Sequence, residues 1–137
     1  MTVGTLLAGT AILTAVVGIW FAVHWWLNPR LDAPDAEARI IGACGDTMEI
    51  RLLFENNAVV RTSHWTDGCV YSVNCIVAAA DLARDKSPEA ILDIDANLIR
   101  IAVGDLPKDH RHCASLAAST LHSAIDDYMR RRVKPSP

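Results

Sequence analysis

The chain has 137 residues, of which 51% are hydrophobic, and its 13 basic and 16 acidic side chains leave a net charge of −3. That length supports one modest hydrophobic core and not two, and the mildly acidic balance excludes a protein that holds nucleic acid by bulk positive charge. No Asp, Glu, Lys or Arg precedes Arg30. The sequence therefore divides into an apolar leader, residues 1–27, and a single domain, residues 28–137.

Val3 to Leu27 is an unbroken apolar run in which His24 is the one ionisable side chain. Its 25 residues would extend about 38 Å as a helix, enough to cross a hydrocarbon core of roughly 30 Å. Trp20, Trp25 and Trp26 gather at the far end, where indoles favour the headgroup boundary. A single membrane span through residues 3–27 is the expectation. A cleaved signal fits less well, because no basic residue precedes the run and the run is long for such a signal. Arg30 and Arg39 follow the span with no basic residue before it, which by the positive-inside rule directs the domain to the cytoplasm.

After Asn28-Pro29-Arg30, the stretch Leu31 to Ala38 reads as a linker or a first short element, since Pro34 prevents a long helix. Thr47 to Glu55 alternates, with Met48, Ile50, Leu52 and Phe54 on one face and Glu49, Arg51 and Glu55 on the other, as in a half-buried strand. Asn56-Asn57 tolerates positive φ, and Ala58 to Thr66 alternates again, so the two segments predict an antiparallel hairpin. Beyond Cys69 the period becomes helical: Ser72 is a candidate cap, followed by Val73, Ile76, Val77, Ala80 and Leu82 up to Arg84. Ser87-Pro88-Glu89 opens a second helix, and Ala96 to Val103 forms a third, with Gly104 at its end and Pro107 barring continuation. The last helix runs from about Arg111 to Arg132, striped by Cys113, Leu116, Ala117, Thr120, Leu121, Ala124, Ile125 and Tyr128. Strands first and helices after them predict an α+β domain.

The residues able to carry chemistry lie in separate islands. Cys44 stands in Gly42-Ala43-Cys44-Gly45-Asp46, a turn whose glycines allow close approach of the backbone to an ion, with a carboxylate two residues on. Cys69 follows Asp67-Gly68 where strand gives way to helix, and the helix N-terminus favours its thiolate. Cys113 falls in the first turn of the last helix beside His112. Cys75 lies among apolar helical neighbours and reads as core, while His64 and His122 read as ordinary polar residues. Arg130-Arg131-Arg132 and Lys134 suit a helix C-terminus, or anionic lipid beneath an anchor. On these residues alone a zinc site, a redox thiol site, a thiol enzyme using Cys69, and an exported domain with two disulfides all stay open.

Taken in order, Asn28-Pro29-Arg30, Gly42-Ala43-Cys44-Gly45-Asp46-Thr47-Met48, Thr66-Asp67-Gly68-Cys69, Leu106-Pro107 and His112-Cys113-Ala114 resemble the U-type iron-sulfur cluster assembly scaffolds, IscU and the N-terminal domain of NifU. The likeness covers Asn28 to about Tyr128. It implies a small three-stranded antiparallel sheet packed with about four to five helices, to which this chain adds a transmembrane helix. It also implies a non-catalytic scaffold that receives sulfur from a cysteine desulfurase as a persulfide, binds Fe2+, builds a [2Fe-2S] cluster and passes it to apo-proteins. The implied ligand set is Cys44, Asp46, Cys69, His112 and Cys113, with Cys113 as persulfide acceptor, Asp46 as the carboxylate that keeps the cluster labile and His112 as accessory ligand. The same residues would accept Zn2+.

The chain departs from the pattern at several points. Asn-Pro-Arg passes straight into Leu31-Asp32, so the amino-terminal segment is shortened. Val70-Tyr71 replaces small residues after the second cysteine. The Leu-Pro-Pro-Val-Lys stretch reads Leu106-Pro107-Lys108-Asp109-His110, with His110 in the place of Lys, which argues against docking of the dedicated Hsp70-type chaperone. A second reading, a membrane-tethered zinc or iron module or a desulfurase recruiter that builds no cluster, uses the same residues.

Overall fold

The computed structural model of the chain describes residues 2–27 and 31–134, so the Asn28-Pro29-Arg30 island lies outside the described residues. The chain separates into two compact units that divide after residue 30. The first is α1, Val3–Leu27, one continuous helix with none of its residues buried. By length and composition it is able to cross a membrane, its most apolar window reaching a mean hydropathy of 2.2. Trp20 and His24, one turn apart, stack with ring centroids 5.3 Å from each other.

The second unit is built on a three-stranded antiparallel sheet in the order β1 (Ala36–Ile41), β2 (Thr47–Glu55), β3 (Ala58–Thr66). The alternation read from the sequence holds in β2: Met48, Ile50 and Leu52 are fully buried and Phe54 nearly so. Asn56 and Asn57 both adopt positive φ, 51° and 63°, which is the two-residue turn whose twist matches a right-handed hairpin. That turn pairs Glu55 with Ala58 and Phe54 with Val59, and a bulge between Leu53 and Phe54 then shifts the register by one residue, so that Leu53 pairs with Arg61 and Met48 with Thr66. The first strand, Ala36–Ile41, takes up the last three residues of the Leu31–Ala38 lead-in and runs three residues beyond it. Its inward residues Ala36, Ala38 and Ile40 are mostly small, which leaves a faint hydrophobic signal in the sequence.

Of helices α2 (Val70–Ala83), α3 (Pro88–Leu92), α4 (Ala96–Val103) and α5 (Arg111–Val133), α5 packs against β1 and β2 and α2 against β3, while α3 packs on α5 and α4 on α2 and α5. Ser87 caps α3 by accepting the Ala90 N–H at 3.3 Å, with Pro88 at the first helical position as expected. Asp95 caps α4 in the same way through the Leu98 N–H at 2.8 Å. Gly104 ends α4 at φ 89°, ψ −140°, a conformation reserved in practice for glycine. Ile50, Leu52, Ile76, Ile99, Leu121 and Ile125 meet in one core between the sheet and the helices. Phe54 stacks on Tyr128 at 4.3 Å, and Arg131 holds Asp127 at 2.8 Å and Glu37 of β1 at 3.6 Å, fastening the far end of α5 to the sheet edge. The near end of α5, the start of α2 and the β1–β2 turn come together where the cysteines lie.

Candidate metal centre

Each cysteine island is held by its own local structure. The β1–β2 turn closes with the Gly42 N–H donating to the Asp46 carbonyl at 2.8 Å and the Gly45 N–H to the Gly42 carbonyl at 3.0 Å. Gly45 at φ 89° makes that closure accessible. Cys44 is exposed at the tip. A side chain added at Gly42 would come within 2.8 Å of Leu116, one turn beyond Cys113 on α5, so the Cys44 turn lies at the end of α5 that bears Cys113.

The β3–α2 junction is fixed by Asp67. Its Oδ1 accepts the Thr47 N–H at 2.6 Å, and the Thr66 hydroxyl donates to the Thr47 carbonyl at 2.6 Å. That bond to the Thr47 N–H holds the Asp67 carboxyl below the usual carboxylate range. The chain then turns through Gly68 and begins α2 with Cys69 as N-cap. Cys69 is exposed, and the Ser72 backbone N–H in the open first turn of the helix favours its thiolate and lowers its pKa. Cys113 is fully buried in the first turn of α5, and that burial raises its pKa.

Ser72 ties these parts together. It is not the cap the sequence suggested but a fully buried residue of the first turn of α2. Its hydroxyl donates to Asp46 Oδ2 at 2.6 Å and lies 3.4 Å from Cys113 Sγ and 3.8 Å from Cys69 Sγ. One hydroxyl proton serves one acceptor at a time, and the short contact with a carboxylate takes it. Asp46, Cys69 and Cys113 thus converge on one side chain. His112 Nε2 is 3.6 Å from Cys113 Sγ.

Among the described residues, the ligand atoms of Cys69, His110 and Cys113 all lie within 4.8 Å of one another. Of the residues expected from the sequence, the structure brings Cys69 and Cys113 into this group, joins Asp46 to it through Ser72, sets His112 against Cys113, and leaves Cys44 exposed on the adjoining turn. The sequence reading missed His110, whose Nδ1 is 3.9 Å from Cys69 Sγ. The available signal was the spacing His110-Arg111-His112-Cys113 at a helix start, which brings two imidazoles and a thiol within one turn. The other assignments agree with the structure: Cys75 is in the core with its pKa pushed up to about 11 by burial, and His122 is satisfied by the Ile94 carbonyl at 2.9 Å.

These environments predict an order of thiol reactivity. Brief iodoacetamide treatment of the native chain near neutral pH is expected to label Cys44 and Cys69, leaving Cys75 and Cys113 unmodified until the chain is denatured, as read by peptide mass spectrometry. Labelling of Cys69 should begin at a lower pH than that of free cysteine, because its thiolate forms earlier. Cys75, at about 11, has only about 0.1% thiolate near pH 8 even before its burial is considered.

The chain is similar to the iron-sulfur cluster assembly scaffold protein IscU 1 of Archaeoglobus fulgidus, 35% identical over 112 residues that cover 78% of this chain and 73% of that one. It is also similar to the iron-sulfur cluster assembly scaffold protein IscU of Aquifex aeolicus, 29% identical over 114 residues with the same coverage of 78% and 73%. Its fold matches the crystal structure of a nitrogen-fixing NifU-like protein, N-terminal part, from Brucella abortus, with a TM-score of 0.55 at 17% identity over 74% of this chain and 83% of that one. Residues 31–135, which take in the sheet, helices α2 to α5 and all three cysteine islands, match the NifU-like N terminal domain, and the chain belongs to that family.

Proposed function

We propose that the chain is a scaffold on which iron-sulfur clusters are assembled and from which they are passed to apo-proteins. The observation that carries this reading is the convergence of Cys69, Cys113 and Asp46 on the Ser72 hydroxyl, beside the exposed Cys44 turn. Thiolates hold iron and sulfide firmly, whereas a carboxylate is the weaker ligand for such a cluster. In this reading Cys44, Cys69 and Cys113, with Asp46 and His112, hold Fe2+ and then a [2Fe-2S] cluster as cargo.

Sulfur arrives from a cysteine desulfurase. Docking of the desulfurase opens the first turn of α5 and exposes Cys113, which is buried in the free chain. Its thiolate attacks the outer sulfur of the desulfurase persulfide, the sulfur–sulfur bond breaks, and the desulfurase cysteine leaves as thiolate; an electron donor then reduces the transferred sulfur to sulfide. Burial holds the proton on Cys113, and His112 at 3.6 Å is placed to take it. Helix α1 anchors the domain to a membrane through residues 3–27, with the domain, residues 28–137, on the cytoplasmic side.

The test is anaerobic reconstitution of the full chain in detergent with ferrous iron, cysteine and a desulfurase. Visible cluster absorption that is lost in Cys44→Ala supports the proposal; no absorption, or absorption unchanged in that variant, removes it. Asp46→Ala is expected to assemble its cluster and to release it to an acceptor about tenfold more slowly, equivalent to about 1.4 kcal/mol on the barrier. A second reading draws on the same two thiols and imidazole, which suit tetrahedral zinc. Stoichiometric zinc that iron and sulfide cannot displace would favour that reading.

A further inference from the structure

We infer that His110 is a metal ligand of this centre, completing a set with Cys69 and Cys113, and that Tyr71 is the residue that positions it. The inference rests on reading the site as a metal centre. It goes further by bringing in two side chains outside the set of Cys44, Asp46, Cys69, His112 and Cys113.

Distances carry the first half of the argument. A tetrahedral ion bound at the usual metal–sulfur and metal–nitrogen lengths separates its nitrogen and sulfur ligands by about 3.6 Å and two sulfur ligands by about 3.8 Å. His110 Nδ1 lies 3.9 Å from Cys69 Sγ, and one ligand atom from each of Cys69, His110 and Cys113 falls within 4.8 Å of the other two. Small side-chain adjustments therefore suffice to close these three around one ion. Asp46 lies outside this compact group, and its carboxylate oxygen is engaged by Ser72 at 2.6 Å. Exchanging that bond for a metal bond would make the carboxylate a later, displaceable ligand.

Tyr71 carries the second half. His110 ends the 3-10 turn Lys108–His110 and is the N-cap of α5, while Tyr71 lies in the first turn of α2 beside Cys69. The two rings stack with centroids 4.3 Å apart and planes 29° from parallel. A stacked ring restricts the imidazole on its flat face and leaves the ring nitrogens free at its edge. His110 is half-buried, whereas His112, 6.1 Å away between ring centroids, is exposed. Tyr71 and His110 are also two positions at which the sequence departs from the U-type pattern, and the fold makes them a single unit across the two helix starts.

The full metal-free chain in detergent, titrated with Co2+ alone, tests this. Thiolate-to-cobalt absorption and competition with a chelator read the ligand set and the affinity, and thermal midpoints without metal verify that each variant is folded. His110→Ala and His110→Gln are expected to weaken Co2+ binding by about 10–100-fold and to change the ligand-field bands. Tyr71→Ala should weaken it by about tenfold, and Tyr71→Phe, which keeps the stack, should restore wild-type affinity. Folded His110 variants with wild-type Co2+ affinity and unchanged bands would overturn the inference. Reconstitution of the wild-type chain in parallel separates this from the scaffold proposal. Cluster assembly with His110-independent Co2+ binding leaves the scaffold and removes the inference; His110-dependent Co2+ binding without any cluster does the reverse.

Discussion

Gly68→Ala is expected to lower the thermal midpoint by roughly 5–15 °C, equivalent to about 1–3 kcal/mol of overpacking, and to abolish metal binding while the far-ultraviolet circular dichroism spectrum stays native. Positive φ is not the reason. A Cβ at position 68 would collide with Asp46 Oδ2 and sit 2.6 Å from both Cβ and Oγ of Ser72. Neither neighbour can yield easily: Ser72 is fully buried in the first turn of α2, and the Asp46 carboxylate is held by its hydroxyl. The methyl group would have to part the bond on which Asp46, Cys69 and Cys113 converge, so the damage falls on the site before it falls on the core. A wild-type thermal midpoint together with wild-type metal affinity in this variant would show that the Asp46–Ser72 contact does not organise the centre.

The second large effect separates two buried cysteines that look alike by exposure. Cys75 and Cys113 are both at 0% exposure, so Cys75→Ala and Cys113→Ala each remove one buried sulfur at a similar cost of about 1 kcal/mol. Cluster yield on reconstitution should nevertheless divide them. Cys113→Ala is expected to fall to background, because Cys113 shares the group with Cys69 and His110 and has His112 against its sulfur. Cys75→Ala should retain most of the wild-type yield, since Cys75 packs in the core with Ile76 and Ala79. Equal yields from the two variants would remove Cys113 from the ligand set.

Much of the domain is written in its sequence because its local rules and its packing agree. The alternation in Thr47–Glu55, the Asn56-Asn57 turn, the Ser87-Pro88 start and the Gly104 stop each specify one conformation, and the fold uses all four. The first strand was less legible because its inward face is built largely from Ala36 and Ala38, too small to mark a period. Ser72 was misread for another reason: a serine near a helix start suggests a cap, and only the fold reveals that Asp46 and Cys113, 26 and 41 residues away, surround its hydroxyl. His110 was hidden in the same way, since its partner Cys69 is 41 residues distant and its supporting ring, Tyr71, sits on a different helix. Local pattern identifies the cysteines, but contacts made across the fold decide which neighbours join them.

The measurement that bears most directly on the scaffold reading is transfer. The reconstituted full chain, in detergent and free of unbound iron and sulfide, is mixed anaerobically with an apo-ferredoxin, and the ferredoxin's own circular dichroism and electron paramagnetic resonance signals are followed. The account predicts that the cluster leaves this chain and appears in the ferredoxin, more slowly from Asp46→Ala and not at all from Cys113→Ala. A wild-type chain that acquires no cluster, or that keeps its cluster in the presence of excess acceptor, would contradict it.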